Sequence, residues 1–341
     1  MKNKRGVVAI VLIALFLGGM LYVSLDKFKG NSSNNSNAQT ESKQELLPAD
    51  FLVDSCYALI EKQIQFGPRV PGSKAHMQCG DWMVKKLKSY GAEVREQNAS
   101  AVNWDGTQVP IRNIIGSIRP NAPKRLLFCA HWDCRPYADK DANVASRKSP
   151  IDGANDGASG VAVILELARI ANQLPEGIGM DIVFFDTEDG GKPEWAEEGQ
   201  EDYKTWCLGS QYWSRSNPKK NFKYAILLDM VGANGATFNK EGYSMEAASG
   251  AVNRIWASAA KLGYGSYFVN NETSGIVDDH LFMNQQNIPT LDIIDMKPSA
   301  MGYGFEFGSF HHTHDDNLTV ISKPTLKAVG HTLAYTLWNL N

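Results

Sequence analysis

Stretches with apolar residues three and four apart take turns along this chain with short, nearly continuous apolar runs. The first spacing marks helices that bury one face; the second marks strands buried on both faces. Helical spacing runs through residues 51–66, which stop before Gly67-Pro68, and through 80–90, closed by Gly91. Residues 92–97 and 108–116 read as strands. The run from Arg125 to Ala130, bounded by Pro123 and a polar stretch, reads as a buried strand, and so do 181–185, 224–228 and 288–294. Between them lie helical stretches at 157–173, with Val161, Ile164, Leu165 and Ala168 on one face, and at 206–216, 251–262 and 278–286. A closing helix spans 323–340, and no internal repeat is visible. The alternation predicts an α/β fold, a three-layer sandwich around a mostly parallel, mixed central sheet. Sites in such folds gather at the carboxyl ends of the strands.

The first 45 residues stand outside that pattern. Lys2, Lys4 and Arg5 precede an apolar run, residues 7–25, that contains no ionisable group. Nineteen helical residues reach roughly 28 Å, close to a bilayer core of about 30 Å. The exit, Tyr22-Val23-Ser24-Leu25-Asp26, is a poor small-residue cleavage site, and no cysteine lies near it. Residues 1–29 are therefore expected to be a membrane anchor, with a cleaved signal peptide as the other reading. Either one exports the remainder to the periplasm or extracytoplasmic space. Residues 30–45 are rich in Asn and Ser and form a tether, which leaves 46–341 as the globular domain. The 43% hydrophobic and 21% charged content is globular, and a net charge of -3 gives no footing for a nucleic-acid partner. Five cysteines without a C-x-x-C pair exclude a thiolate zinc cluster and a disulfide scaffold.

The predicted strand ends carry the chemistry. The first buried strand closes on His131-Trp132-Asp133, and a Gly-rich turn with Asn155-Asp156-Gly157 leads into the next helix. Asp186-Thr187-Glu188-Asp189 follows the second strand, and Asp229-Met230 the third. Val277-Asp278-Asp279-His280 and His311-His312-Thr313-His314-Asp315-Asp316 come later. Singly, each residue also reads as a cap or a solvated loop residue; Asp156 and Asp278 both precede helices. Together they bring several acids to one edge, and like-charge repulsion there calls for a cation or shared protons. Carboxylate and imidazole donors without cysteine suit zinc.

In that order, these motifs resemble the zinc aminopeptidase-like superfamily, and within it the bacterial glutaminyl-peptide cyclotransferases, over residues 46–341. The resemblance implies one zinc per chain, held by Asp156, Asp189 and His312. It implies Glu188 as general acid/base, with Asp229 and Asp278 as the two acids networked to it, and His131 as the remnant of a second metal site. His312 is chosen over His311 and His314 because His312-Thr313-x-Asp315-Asp316 matches the family's H-T-x-D-D. The chain departs from the animal members in carrying Glu188-Asp189 for Glu-Glu, and His311 where an aromatic residue precedes the ligand histidine. Trp195, in the loop after the acid pair, Phe310 and His311 are candidate substrate-binding residues, with a loop-anchor role open for Trp195.

The expected partners are peptides or proteins with N-terminal glutamine, and the membrane through the N-terminal segment. The aminopeptidases of the superfamily usually have Ser where Asp278 stands, so this acid favours ring closure over peptide hydrolysis. A zinc aminopeptidase with two metals is the alternative, and a metal-bearing binding protein without turnover is the third reading.

Overall fold

The computed structural model describes residues 51–197, 203–216, 218, 221–299 and 304–340. The apolar run at 7–25 and the tether at 30–45 lie outside the described residues. No helix among the described residues is long and apolar enough to cross a membrane.

A six-stranded sheet runs β1 (Glu93–Val102), β2 (Gln108–Ile118), β4 (Ile178–Phe185), β3 (Lys124–His131), β5 (Ala225–Asp229) and β8 (Thr290–Ile294) across its width. β1, β2 and β4 pair antiparallel; β4, β3, β5 and β8 pair parallel. The four parallel strands therefore end on one edge, where His131 lies opposite Phe185 and Asp229 opposite Ile294.

Alternation along the buried strands divides the core. Leu126, Phe128, Ala130, Ile182, Phe184, Ile226 and Leu228 face α1 (Val53–Ile64), α2 (Lys74–Ser89), α3 (Ala158–Ile170), α5 (Gly242–Lys261) and α7 (Lys323–Trp338). Leu127, Cys129, Val183, Phe185 and Leu227 face the other way, toward Trp213 of α4 (Leu208–Arg215) and Met283 of α6 (Asp279–Gln285). This is the expected three-layer sandwich. Cys129 is a core residue, and all five cysteines are buried free thiols.

Helix α3 is buried on nearly every side. A Cβ on its Gly160 would sit 2.3 Å from the Leu228 carbonyl, so the helix touches β5 backbone to backbone. That contact sets the height of the Asp156 loop above the strand ends.

Several boundaries differ from the sequence reading. Helix α2 begins at Lys74, not 80, because the Ser73 hydroxyl accepts from the His76 amide at 3.1 Å and caps it. Helix α5 begins at Gly242, well before 251, because Glu241 caps it by accepting from Tyr243 and Ser244 at 2.9 and 2.6 Å. Its first turns are Gly/Ser/Ala-rich and kinked at Ala248, so they show no apolar stripe. The short parallel pair β6 (Phe238–Lys240) and β7 (Phe268–Glu272) was not anticipated; such brief strands carry no periodicity of their own.

Two stability effects follow. Gly160→Ala overpacks α3 against β5 and should cost about 1–3 kcal/mol in thermal or denaturant unfolding. The Glu241 carboxyl, although burial opposes its charge, is drawn down to about 2 by His280 and Ser244. Its folded value lies below the ordinary value of about 4.3, so its stabilisation is present above that pH and is lost as pH falls toward 2. The stability gap between wild type and Glu241→Gln, measured across pH, should therefore be widest near neutrality and close in acid.

Candidate metal centre and active site

A cavity of about 410 Å³ opens at the carboxyl ends of the parallel strands. His131 is the last residue of β3, Asp229 the last of β5, and Glu188 and Asp189 follow β4. Asp156 precedes α3, Asp278 is the N-cap of α6, and His311 and His312 come from the loop before α7. Glu188, Asp189, Asp156, Asp229, Asp278 and His312 all line the cavity. The turns that aim them are strained. Of six non-glycine residues with positive φ among the described residues, Thr187, Cys207, Met230 and His312 stand in or next to this site. Gly157 (φ 91°) is required at the start of α3, since a Cβ there would lie 2.7 Å from the Asp133 carbonyl and 2.9 Å from the His131 ring.

Two buried carboxylates clamp the loops through pairs of backbone amides. Asp133 accepts from the amides of Glu188 (3.1 Å) and Asp189 (3.2 Å). Asp316 accepts from those of Asn155 (2.7 Å) and Asp156 (3.0 Å). Arg135 grips Asp139 with two hydrogen bonds (2.7 and 2.6 Å) and donates to the Asp189 carbonyl at 3.0 Å. Below them, Asp186 is held by His76 Nε2 at 2.8 Å, and the His76 ring stacks on the buried Trp132 at 4.0 Å.

His312 Nε2 lies 3.1 Å from Asp189 Oδ1 and 3.8 Å from Asp156 Oδ2. Donors placed tetrahedrally about 2.0–2.1 Å from zinc would stand roughly 3.3 Å apart, so this spacing fits. Burial and the Arg135 charge push His312 well below its ordinary pKa, leaving the neutral imidazole that ligates metals. Asp189 Oδ2 is buried and has no hydrogen-bond partner among the described residues. The residues thus fit a zinc ion. His311 belongs to an overlapping donor group with Asp156 and His312, and its Nδ1 lies 3.0 Å from Lys140 Nζ.

A second group of donors comprises His131, Asp156 and Asp229. His131 Nε2 is 3.0 Å from Asp156 and 3.2 Å from Asp229. Burial alone would lower the His131 pKa, but the carboxylates of Asp133, Asp156 and Asp229 raise it well above the ordinary value. Burial and the Asp156 charge push Asp229 up to about 7. Glu188 is raised well above the usual carboxylate range, by burial first and then by Asp189, Asp278 and Asp279, against His131. The Cys207 thiol donates to Glu188 Oε1 at 3.2 Å. At the other group, the neutral His312 imidazole with the carboxylates of Asp156 and Asp189 can hold a cation that polarises a carbonyl, beside Glu188 as an acid placed to take and return a proton.

The structure brings Asp156, Asp189, His312, Glu188, Asp229, Asp278 and His131 together. Of the candidate substrate contacts, His311 lines the cavity. Trp195 instead packs edge-on against Tyr137 at 5.2 Å, and Phe310 is buried among Met230, Ile276 and Ile294. Trp206, read from sequence as the start of a helix, precedes α4 and lines the cavity. Its ring lies nearly parallel to that of His312 (6.1 Å) and under the Arg135 guanidinium (4.7 Å). Asp133 and Asp316 stand inside the quoted motifs, but only the fold reveals which amides they hold.

The sequence profile of Peptidase family M28 matches residues 113–337. The glutaminyl cyclase of Bacteroides thetaiotaomicron, solved bound to N-acetylhistamine, is 45% identical with a TM-score of 0.82, covering 87% of this chain and 100% of that one. A Zn-dependent exopeptidase from Parabacteroides distasonis is 46% identical with a TM-score of 0.80, covering 85% and 99%. Aminopeptidase YwaD of Bacillus subtilis is 25% identical over 281 residues, 79% of this chain; the chain spans only 53% of that protein's length.

If Asp133 sets the ligand geometry through the two amides, Asp133→Asn should keep the fold and weaken zinc binding about 10–100-fold in a chelator competition. An unchanged zinc affinity would remove Asp133 from that role.

Proposed function

We infer, from a chain that belongs to peptidase family M28 and within it to the glutaminyl cyclases, that it converts the N-terminal glutamine of peptides and proteins to pyroglutamate with release of ammonia. The cofactor is zinc, one per chain in this reading, with Asp156, Asp189 and His312 as the residues that would hold it. Bound there, zinc supplies a Lewis acid for the glutamine side-chain carbonyl.

The chain's own groups do the rest. Glu188 accepts a proton from the α-amine as that nitrogen bonds to the side-chain carbonyl carbon, Cδ, then delivers a proton to the side-chain nitrogen, whose bond to Cδ breaks and which leaves as ammonia. Its raised pKa lets it hold the proton between those two moments. Attack within one residue needs no water, so the cavity's task is to hold the amine near the carbonyl. Trp206 and His311 on the cavity wall can confine the glutamine side chain.

The observation that carries this reading is Asp278. Its carboxyl oxygen lies within 4.8 Å of both a Glu188 oxygen and the Cys207 sulfur, so the proton acceptor has a second acid beside it, also raised by burial. Two neighbouring acids can keep a proton at the site without a nucleophilic water. Zinc-dependent peptide hydrolysis rests on another observation: His131, Asp156 and Asp229 are close enough to hold a second cation. The run at 7–25 supports export, and we place the catalytic domain in the periplasm or extracytoplasmic space on an N-terminal membrane anchor, residues 1–29.

Purified protein is expected to release ammonia from a Gln-initiated dipeptide, to leave an aminoacyl anilide intact, and to carry one zinc. Two tightly held zincs with anilide cleavage would favour the peptidase. Glu188→Gln should keep its zinc and lose about 10²–10⁴ in kcat, the range for a lost general acid/base.

A further inference from the structure

Beneath Asp278 the interior holds a polar cluster that the reaction above does not use. Asp278, His280 and Asp292 each bring a donor or acceptor atom within 4.8 Å of the other two, and all three are buried. Asp292 lies in β8, and its amide donates to Ser244 Oγ at 2.9 Å. His280 Nε2 is 3.0 Å from Glu241 Oε2, while His280 Nδ1 stands 3.7 Å from Asp292 Oδ2, too far for a hydrogen bond. Glu241 also accepts from the Tyr243, Ser244 and Ile276 amides, so both its oxygens are in use as acceptors.

That leaves a mismatch. Both Asp292 oxygens and Asp278 Oδ2 are buried, and none has a hydrogen-bond donor among the described residues. Asp278 Oδ1 accepts from the Asp279 amide at 2.5 Å. The acids acting on Asp292 are Asp278, Asp229 and Glu241, with His280 the base beside it. Two ionised carboxylates in this setting would repel each other with no donor to offset the burial. One proton between them turns an acceptor–acceptor clash into a hydrogen bond. Burial and the three acids raise Asp292 well above the ordinary range, and the contact with Asp278 raises it further; the same contact lowers Asp278. Asp278 keeps one amide donor for its charge whereas Asp292 has none, so the arrangement of donors places the proton on Asp292.

We propose that Asp292 is a positioning residue: a neutral carboxylic acid, buried in β8, that donates to Asp278 Oδ2 and fixes the Asp278 carboxylate beside Glu188. The role rests on the cyclase reading, because it acts through Asp278. It predicts that an amide, neutral and a donor, can replace this acid, whereas an apolar isostere cannot.

The test compares Asp292→Asn, Asp292→Leu and Asp278→Asn in the zinc-loaded enzyme. Asp292→Asn should keep kcat within a few-fold. Asp292→Leu should lose about 10–100-fold in kcat with KM and zinc content unchanged, because Asp278 is left without its donor. Should the leucine variant not fold, Asp292→Ser, too short to reach Asp278, carries the same expectation. The infrared difference spectrum of wild type minus Asp292→Asn should show a protonated-carboxyl C=O band at neutral pH. Three results each overturn the proposal: Asp292→Asn as impaired as Asp278→Asn, Asp292→Leu as active as wild type, or a second bound metal that Asp292→Asn removes. The infrared band reads the proton on Asp292 without any turnover. An enzyme that makes no ammonia would thus refute the cyclase reading while the band still decides the protonation state.

Discussion

Asp156, Glu188, Asp189, Asp229 and Asp278 share one cavity wall, with Asp133, Asp279, Asp292 and Asp316 buried around them. Like charges so close and so dry repel strongly, and every other feature of the site is a response to that repulsion. A cation held, as proposed, by Asp156, Asp189 and His312 would relieve one part. His131, drawn toward its charged form by three carboxylates, relieves another. The proton proposed on Asp292 would relieve a third, and burial and the neighbouring acids draw Glu188 toward its protonated form. The same repulsion that makes the site costly to build holds Glu188 above the usual carboxylate range, which suits the proton transfer proposed for it.

Holding those acids in place takes backbone as well as side chains. Asp133 and Asp316 each spend a carboxylate on two consecutive amides, so Glu188, Asp189 and Asp156, the proposed proton-transfer residue and metal donors, are fixed through the main chain. Positive φ values at Thr187, Met230 and His312 turn the chain sharply where the side chains must point inward. The tight packing of Gly160 on Leu228 sets the level of the Asp156 loop against the sheet. Rigid elements underneath and strained turns on top are the arrangement that a short proton transfer requires.

Ring closure and peptide hydrolysis draw on nearly the same parts. Both use a cation to polarise a carbonyl and a carboxylate to move a proton. What separates them is whether the proton acceptor faces a water or an amine already attached to the substrate. Asp278 beside Glu188 favours the second, and His131 between Asp156 and Asp229 keeps the geometry of the first within reach.

The strand–helix alternation was legible from residue spacing alone, because a buried strand or an amphipathic helix must repeat its apolar positions at a fixed period. The site residues stood in short motifs at predicted strand ends, and that order carried the family resemblance. Elements without periodicity were not legible: the capped, Gly/Ser-rich start of α5 and the three-residue strand β6 leave no pattern to read. Trp195 reads as a loop residue beside the acid pair and Trp206 as a helix start, yet of the two it is Trp206 that lines the cavity. Likewise Asp292 reads as one polar residue in an apolar strand, and nothing local says it faces Asp278. Local sequence determined which elements form and where the chemistry-bearing residues enter them, because those depend on neighbours along the chain. Which acids meet, which share a proton and which aromatic ring lines the site depend on contacts between distant segments, and only the tertiary structure decides those.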